Sequence, residues 1–338
     1  MVIKVIKVPG FWFLVPGGNK KPLTVLYCKM KTTALSTIVV LVFLITSCTT
    51  KPKESSMPAK ELKISLAQWS IHNALQAGTL KADDFPFIAT EYGIHAVEYV
   101  NQFYKDHATD EAYWKKMRAK TDSLGVKNLL IMCDDEGDLG NPDPAERKKA
   151  VENHYKWVDA AAILGCHSIR INAFGDGTRE QVQAAMVDAL KQLCTYAATK
   201  NINVVIENHG LYSSDGTWTA EIMKQVAMPN VGTLPDFGNW CLSEKWGSTQ
   251  DGKPCSKVYD RYQGVTDMLP YAKGVSAKSY KFDDQGNETI IDYARLIDIV
   301  KKSDFDGYIG IEYEGSDLGE HDGIVATKKL LEKVWGGK

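Results

Sequence analysis

From Lys63 onward the chain alternates short apolar runs with longer amphipathic stretches. That alternation marks βαβ units, in which a helix carries the chain back so that successive strands lie parallel. Strands are expected at residues 63–70, 96–100, 128–132, 168–173, 203–207, 232–236, 274–278 and 308–313. The clearest helices span 145–164 and 179–200, with Asp143-Pro144 and residues 176–178 as start signals. Gly125 and Gly165 stand where a helix must turn into the next strand. Eight strands and eight helices within about 275 residues fit a (β/α)₈ TIM barrel better than an open sheet. An open doubly wound sheet usually carries a glycine-rich turn after its first strand, and here that strand runs into Gln68-Trp69-Ser70-Ile71-His72. No repeat and no interdomain linker interrupts residues 61–338, which are read as one α/β domain. One connection, residues 238–257 after the sixth strand, is long enough to be functional.

In such a barrel, chemistry collects at the C-terminal ends of the strands. Those ends carry Glu98 on the second strand, Arg170 and Asn172 on the fourth, and Glu207, Asn208 and His209 on the fifth. The sixth ends in Asp236 to Asn239, the seventh holds Ser276, Lys278 and Tyr280, and the eighth holds Glu312 and Glu314. Glu207, Asp236 and Glu312 each close an apolar run, where a carboxylate is costly unless it is paired or bound to a cation. Either a neighbouring Arg, Lys or backbone amide satisfies each one, or the three converge on one cation at the barrel mouth. Lys278 is expected beside them, either steadying an enolate oxygen or a hydroxyl, or tied in a salt bridge to Glu312 or Asp236. Arg170 and Asn172 share a strand face and, with Glu98, are candidates for binding hydroxyls. Trp69, Trp240 and Tyr280 are candidate walls for a sugar ring, with plain core as the alternative. His72, just past the first strand, is placed for an acid or base, and His209 shares the strand face of Glu207. His95 starts the second strand and faces the stability end.

The phrases Val205-Ile206-Glu207-Asn208, Leu234-Pro235-Asp236-Phe237-Gly238-Asn239, Ala277-Lys278 with Phe282-Asp283 behind it, and Gly307-Tyr308-Ile309-Gly310-Ile311-Glu312 follow one another along these units. With them, residues 63–334 resemble the xylose-isomerase-like barrel superfamily. That superfamily includes sugar isomerases and epimerases, inosose dehydratases and endonuclease-IV-type nucleases. The resemblance implies one divalent metal, held in epimerase-like members by Glu, Asp, His and Glu from strands five to eight. Glu207, Asp236, Ser276 and Glu312 occupy those positions here, so Ser276 departs from the pattern. The fourth ligand then falls to water, substrate or another side chain such as His209. Three carboxylates and water suit Mn²⁺ or Mg²⁺, whereas an added His favours Zn²⁺ or Co²⁺.

The activity so implied is isomerisation or epimerisation through proton abstraction next to a carbonyl. Glu207 and Glu312 would take and return the proton, while the metal and Lys278 hold the enediolate. Loss of a β-substituent from the same enolate would instead make a dehydratase or lyase acting on a keto-sugar, keto-glycoside or inosose. A non-catalytic sugar-binding lipoprotein is the third reading, since the missing His would suit a degenerate site.

Residues 32–47 form an uncharged, largely apolar run that follows Lys29 and Lys31 and precedes Cys48. At roughly 16 residues it is short for a membrane span, which needs about 20, and suits a signal-peptide core. Ile45-Thr46-Ser47-Cys48 resembles the bacterial lipobox, whose cysteine is lipidated after cleavage. Residues 30–48 are therefore expected to be a lipoprotein signal and 49–60 a polar tether. The domain would then face the periplasm of the cell envelope, touching the membrane only through its lipid anchor; an uncleaved anchor gives the same address. Residues 1–29 fit neither signal nor domain and are expected to be an over-extended reading frame.

An address outside the cytoplasm, with no glycine-rich or multi-Arg phosphate cradle, points to a non-phosphorylated sugar or keto-sugar as the partner. The formal net charge of -2 leaves no basic footprint for nucleic acid, and few histidines stand at strand ends, so a nuclease is disfavoured. Of seven cysteines, Cys28 and Cys48 belong to the N-terminal segment, and an odd remainder argues against a disulfide framework. Cys133, Cys166 and Cys194 read as small buried hydrophobes. Cys241 and Cys255 flank one polar insertion and are placed to pair in an oxidising compartment.

Overall fold

The computed structural model of this chain describes residues 3–8, 11–16 and 60–337. Ile3–Val8 and Phe11–Pro16 form an antiparallel pair in a unit of their own, with Ile3 opposite Pro16 and Val8 opposite Phe11. Cys28, the apolar run 32–47, the lipobox ending at Cys48 and the tether up to residue 59 lie outside the described residues. No helix among the described residues is long and apolar enough to cross a membrane.

The second unit holds eight strands: β1 (Ile64–Ala67), β2 (Ala96–Val100), β3 (Lys127–Cys133), β4 (Ser168–Ile171), β5 (Asn203–Glu207), β6 (Val231–Leu234), β7 (Val275–Ser279) and β8 (Ile309–Tyr313). Apart from β6 and β7, strands consecutive in the chain pair in parallel, and β8 returns to pair with β1. Between β6 and β7 there is no ladder. Single bridges, Thr233 to Ala272 and Asp236 to Ser276, close the circle there. The returning helices are α1 (Phe85–Glu91), α2 (Glu111–Leu124), α3 (Pro144–Leu164), α4 (Arg179–Ala198), α5 (Gly216–Val226), α6 (Arg261–Met268), α7 (Tyr293–Lys302) and α8 (Glu320–Trp335). This is the expected TIM barrel.

Local chemistry explains where the helices begin and end. Asp110, Asp143, Thr178, Asp215, Asp260 and Asp292 each accept a backbone N–H of the first turn of α2 to α7, satisfying donors that have no partner within the helix. Thr178 and Gln181 do so reciprocally, as a capping box. Gly125 and Gly165 end α2 and α3 in the left-handed conformation, φ 64° and 86°. Helix α7 buries Tyr293, Leu296, Ile297 and Val300, one stripe at spacings of three and four.

Three strands are shorter than the apolar runs suggested. β1 stops at Ala67 because Gln68–Ile71 coils into a 3₁₀ turn. Gln68 is buried there, accepting from Val100 N at 2.9 Å and donating to the Tyr104 hydroxyl at 2.8 Å. β4 stops at Ile171, and β6 at Leu234, just before a proline that has no N–H to give a ladder.

Strand side chains alternate between two layers. Outward residues such as Ile131, Ile169, Val204, Ile206, Ala277 and Ile311 pack into the apolar layer beneath the helices. The inward set holds Ala67, Val100, Leu130, Met132, Val205 and Leu234. Many of the other buried side chains on that phase are polar, among them Ser65, Glu98, Arg170, Glu207, Ser276, Lys278 and Glu312. Gly310 makes room in this crowd, since a Cβ there would lie 2.6 Å from Glu98 Oε1.

Gly264 is a second close approach, in the middle of α6. A Cβ at that position would lie 2.0 Å from the Trp240 ring. Helix propensity alone favours Gly264→Ala by about 1 kcal/mol. Forcing a methyl against a buried ring costs about 1–3 kcal/mol, so a net loss is expected. Urea denaturation reads it directly; a midpoint above wild type would show that the ring yields.

Candidate active site

β5, β6 and β8 end on one side of the barrel and bring Glu207, Asp236 and Glu312 together. All three are buried, and one ligand atom from each lies within 4.8 Å of the others. Asp236 sits two residues beyond β6, where the broken ladder frees its backbone. Its Oδ1 accepts the N–H groups of Gly238 and Asn239, both at 2.8 Å, and its own N–H donates to Asn208 Oδ1 at 2.7 Å.

Ser276, in the position expected of a histidine, reaches two of the three acids: its hydroxyl is 2.5 Å from Asp236 Oδ2 and 2.9 Å from Glu312 Oε2. A hydroxyl carries one proton, so two anionic acceptors at that range require a second proton or a cation. Burial pushes the Asp236 carboxyl well above its ordinary range, with Lys278 opposing. Burial likewise lifts Glu207 to about 7, with Arg170 opposing. Glu312 goes the other way: burial is outweighed by Lys278, whose Nζ is 2.9 Å from Oε1, and the carboxylate is stabilised.

This donor set fits a divalent ion. Glu207 Oε2 is buried without a hydrogen-bond partner; Arg170 Nε approaches it at 2.8 Å but off the hydrogen-bonding line. Three convergent carboxyl groups, two of them held short of ionisation by burial, are the environment that a hard dication relieves.

A cavity of about 590 Å³ opens above the acids, within the range of small-molecule sites. Glu312 forms part of its wall, as do Trp69, His72, Arg170 and His209. Trp69 and His72 stack with centroids 4.4 Å apart and planes 9° apart. The Nδ1 of His72 donates to the Trp69 carbonyl at 2.6 Å, since a carbonyl only accepts.

His209 is fixed the same way. Asn172 Nδ2 donates to Asp134 Oδ1 at 2.7 Å, which leaves Asn172 Oδ1 to accept from His209 Nδ1 at 2.7 Å. Burial, then Arg170, lowers the imidazole to about 3, so His209 is neutral. It lies outside the acid cluster found among the described residues and is part of the cavity wall instead of the fourth ligand.

Four expected positions fall elsewhere. Trp240 is wholly buried: it packs on Gly264 and stacks with Tyr259 at 6.2 Å, so it is core and not a sugar wall. Tyr280 is also buried, its hydroxyl 3.3 Å from Ser248 Oγ. Glu98 lies below the cavity, accepting from Ser65 Oγ at 2.6 Å, and burial raises it to about 7. Asn172 supports His209 and Arg170 from behind the wall.

Lys278 is the fifth revision. It is buried behind the wall, 2.9 Å from Glu312 and 3.1 Å from Glu314. The salt bridge won over the substrate contact because two acids hold the ammonium, raising its pKa despite the opposing cost of burial. Lys278 therefore positions acids and is not part of the cavity lining.

Asp134 is the main residue the sequence reading missed. It lines the cavity and holds Arg170 at 2.6 Å. Its signal was present: it follows an apolar run, as Asp236 does. Asn239, Trp246, Gln250 and Lys253 also line the cavity from the long 238–257 loop, which the Cys241–Cys255 disulfide closes. Cys133, Cys166 and Cys194 are free and buried, as expected.

Residues 87–334 match the sequence pattern of the xylose isomerase-like TIM barrel family. A stretch of 66 residues is 39% identical to the C-glycoside deglycosidase alpha subunit of Arthrobacter globiformis; it spans 19% of this chain and 19% of that relative. Among solved structures, a D-psicose 3-epimerase superposes with TM-score 0.61 at 12% identity, covering 82% of this chain and 100% of its own. The 3-keto-D-glucoside 4-epimerase of E. coli gives 0.59 at 14%, covering 80% and 100%. A probable 3-DHS dehydratase of Bacillus anthracis gives 0.55 at 19%, covering 80% and 99%. At such identities the structures speak to fold alone.

Proposed function

The chain belongs to the xylose isomerase-like TIM barrel family, and from that premise we propose that it is a metal-dependent isomerase or epimerase of a non-phosphorylated sugar or keto-sugar. The observation that carries this reading is the convergence of Glu207, Asp236 and Glu312 under an open cavity. Those three, with Ser276 against two of them, would hold the ion, and Mn²⁺ or Mg²⁺ suits an all-oxygen set. When bound, the ion supplies a Lewis acid beside the substrate carbonyl.

The chain's own groups divide the remaining work. Glu312, at the cavity wall and ionised, takes the proton next to the carbonyl. Glu207, the other glutamate of the cluster, is the partner that gives one back. Lys278 and Ser276 hold Glu312 in place from behind. His72 and His209 each have Nδ1 committed to a fixed acceptor, which leaves Nε2 to accept from a substrate hydroxyl. Return of the proton to the opposite face of the same carbon gives an epimer, and to the neighbouring carbon an isomer.

Two observations support a neutral substrate. Arg170 is already engaged by Asp134 and Glu207, and Lys245 rests over the Phe174 and Trp246 rings. The disulfide between Cys241 and Cys255 supports an address outside the reducing cytoplasm, in the cell envelope, where the expected lipid anchor at Cys48 would hold the protein.

The test is incubation of the purified protein with Mn²⁺ and a panel of ketoses, keto-glycosides and inososes in deuterated water. Deuterium entering a C–H position that chelator blocks is the expected result. Release of water or an aglycone would mean the lyase outcome of the same abstraction. Binding without exchange, indifferent to chelator, would replace the catalyst by a sugar-binding protein.

A further inference from the structure

The acids and the Trp69–His72 pair are one part of the cavity; the long loop builds another. Trp246 is 43% exposed, whereas Trp114, Trp157, Trp218 and Trp240 are buried. Its φ is +72°, a left-handed backbone that a bulky residue seldom adopts. Such a conformation persists only where the surroundings dictate it.

Here they do. Cys241 is bonded to Cys255 across the loop. Cys241 N donates to Gly247 O at 2.9 Å, and Leu211 N to Glu244 O at 3.2 Å. Gly247 lies so close to Gly210 that a Cβ on it would come within 2.5 Å of the Gly210 nitrogen. The indole then stands edge-on to His209 (5.0 Å, 72°) and to Phe174 (5.4 Å, 86°). Lys245 Nζ sits 5.5 Å from the indole centroid, and Trp246, 43% exposed, lines the cavity, so ring surface stays open to a ligand.

Two further facts give that face a purpose. The cavity, about 590 Å³, is of the size that takes drug-sized molecules, generous for one pyranose ring. It also continues into a shallower polar depression, which shares His72, Gln250, Lys253 and Glu314 with it. Space, an exposed flat surface and polar flanks therefore extend beyond the acids.

We propose that Trp246 is the platform of an outer subsite for a second ring, so that the substrate is a glycoside and not a free monosaccharide. The disulfide-closed loop positions the platform, and the second ring stacks on it through a flat apolar face, whether of an aromatic aglycone or another sugar. This rests on the sugar-site reading above and adds the substrate class to it.

The test is calorimetric titration of the full protein, with Mn²⁺, using methyl β-D-glucoside, phenyl β-D-glucoside, cellobiose and their 3-keto forms. In wild type a two-ring ligand should bind about fivefold to tenfold more tightly than its methyl counterpart, the value of one aromatic stacking contact. In Trp246→Gly, which also relieves the backbone, that ratio should fall to about one; Trp246→Phe should restore most of it. Cys255→Ser should lower the ratio part of the way. A preference for phenyl over cellobiose assigns the ring as an aglycone, and the reverse as a second sugar. Equal binding of one- and two-ring ligands in wild type, or a ratio unchanged in Trp246→Gly, overturns the subsite and leaves the sugar site standing. Binding of none of these ligands by wild type removes both.

Discussion

Glu312→Gln is expected to cut deuterium exchange into the substrate by about 10²–10⁴, the share of a rate that a positioned base contributes. Glu312 is the one member of the acid cluster that forms part of the cavity wall. Lys278 and Ser276 fix its two oxygens at 2.9 Å each, so glutamine keeps the shape and loses the charge. It also weakens the cation site, and the two losses are separable. Bound Mn²⁺ measured by atomic absorption should return to wild-type occupancy when the metal is raised, while exchange stays low. Exchange within tenfold of wild type at full occupancy would show that the proton goes elsewhere.

The second large effect concerns stability. Lys278→Met should destabilise the fold by about 3–5 kcal/mol, because it strips the cation from a buried ion pair and leaves its partner uncompensated. The ammonium is fully buried between Glu312 and Glu314, with Asp236 also raising its pKa. In the double variant Lys278→Met, Glu312→Gln, much of the loss should return, since the acid still left without its partner, Glu314, is 21% exposed and can be hydrated. Urea denaturation with chelator present gives all three values. A single-variant cost below about 1 kcal/mol would mean that the pair contributes little and that Glu312 simply takes up a proton.

Much of the fold could be read before any coordinates. Most strands are largely apolar runs of four to seven residues, and each of α2 to α7 opens on an Asp or Thr that caps it. These are local effects, set by backbone donors and acceptors within a few residues. Glu207, Asp236 and Glu312 were legible for a related reason: a carboxylate that closes a buried run needs a partner, and three such runs end at one rim. The pairing of Cys241 with Cys255 was legible as a possibility, since both flank a single insertion.

Depth was not legible. Trp240 and Trp246 lie six positions apart on one loop, and the sequence reading names Trp240 as the aromatic wall and passes over Trp246. Gly264 on α6 decides between them by leaving a space that the Trp240 ring fills. Lys278 and Glu98 point inward on the right strand phase, yet that phase has a floor and a mouth. Glu314 draws the ammonium back from the cavity, and Gly310 opens the space in which Glu98 is buried.

The sequence by itself determined the eightfold alternation, the helix starts and the three acids, because periodicity and the cost of burying charge act through residue type and local spacing. Only the tertiary structure decided which groups face the cavity and which stand behind it. That depends on contacts between elements far apart in the chain, where the presence or absence of a single Cβ sends a side chain inward or out.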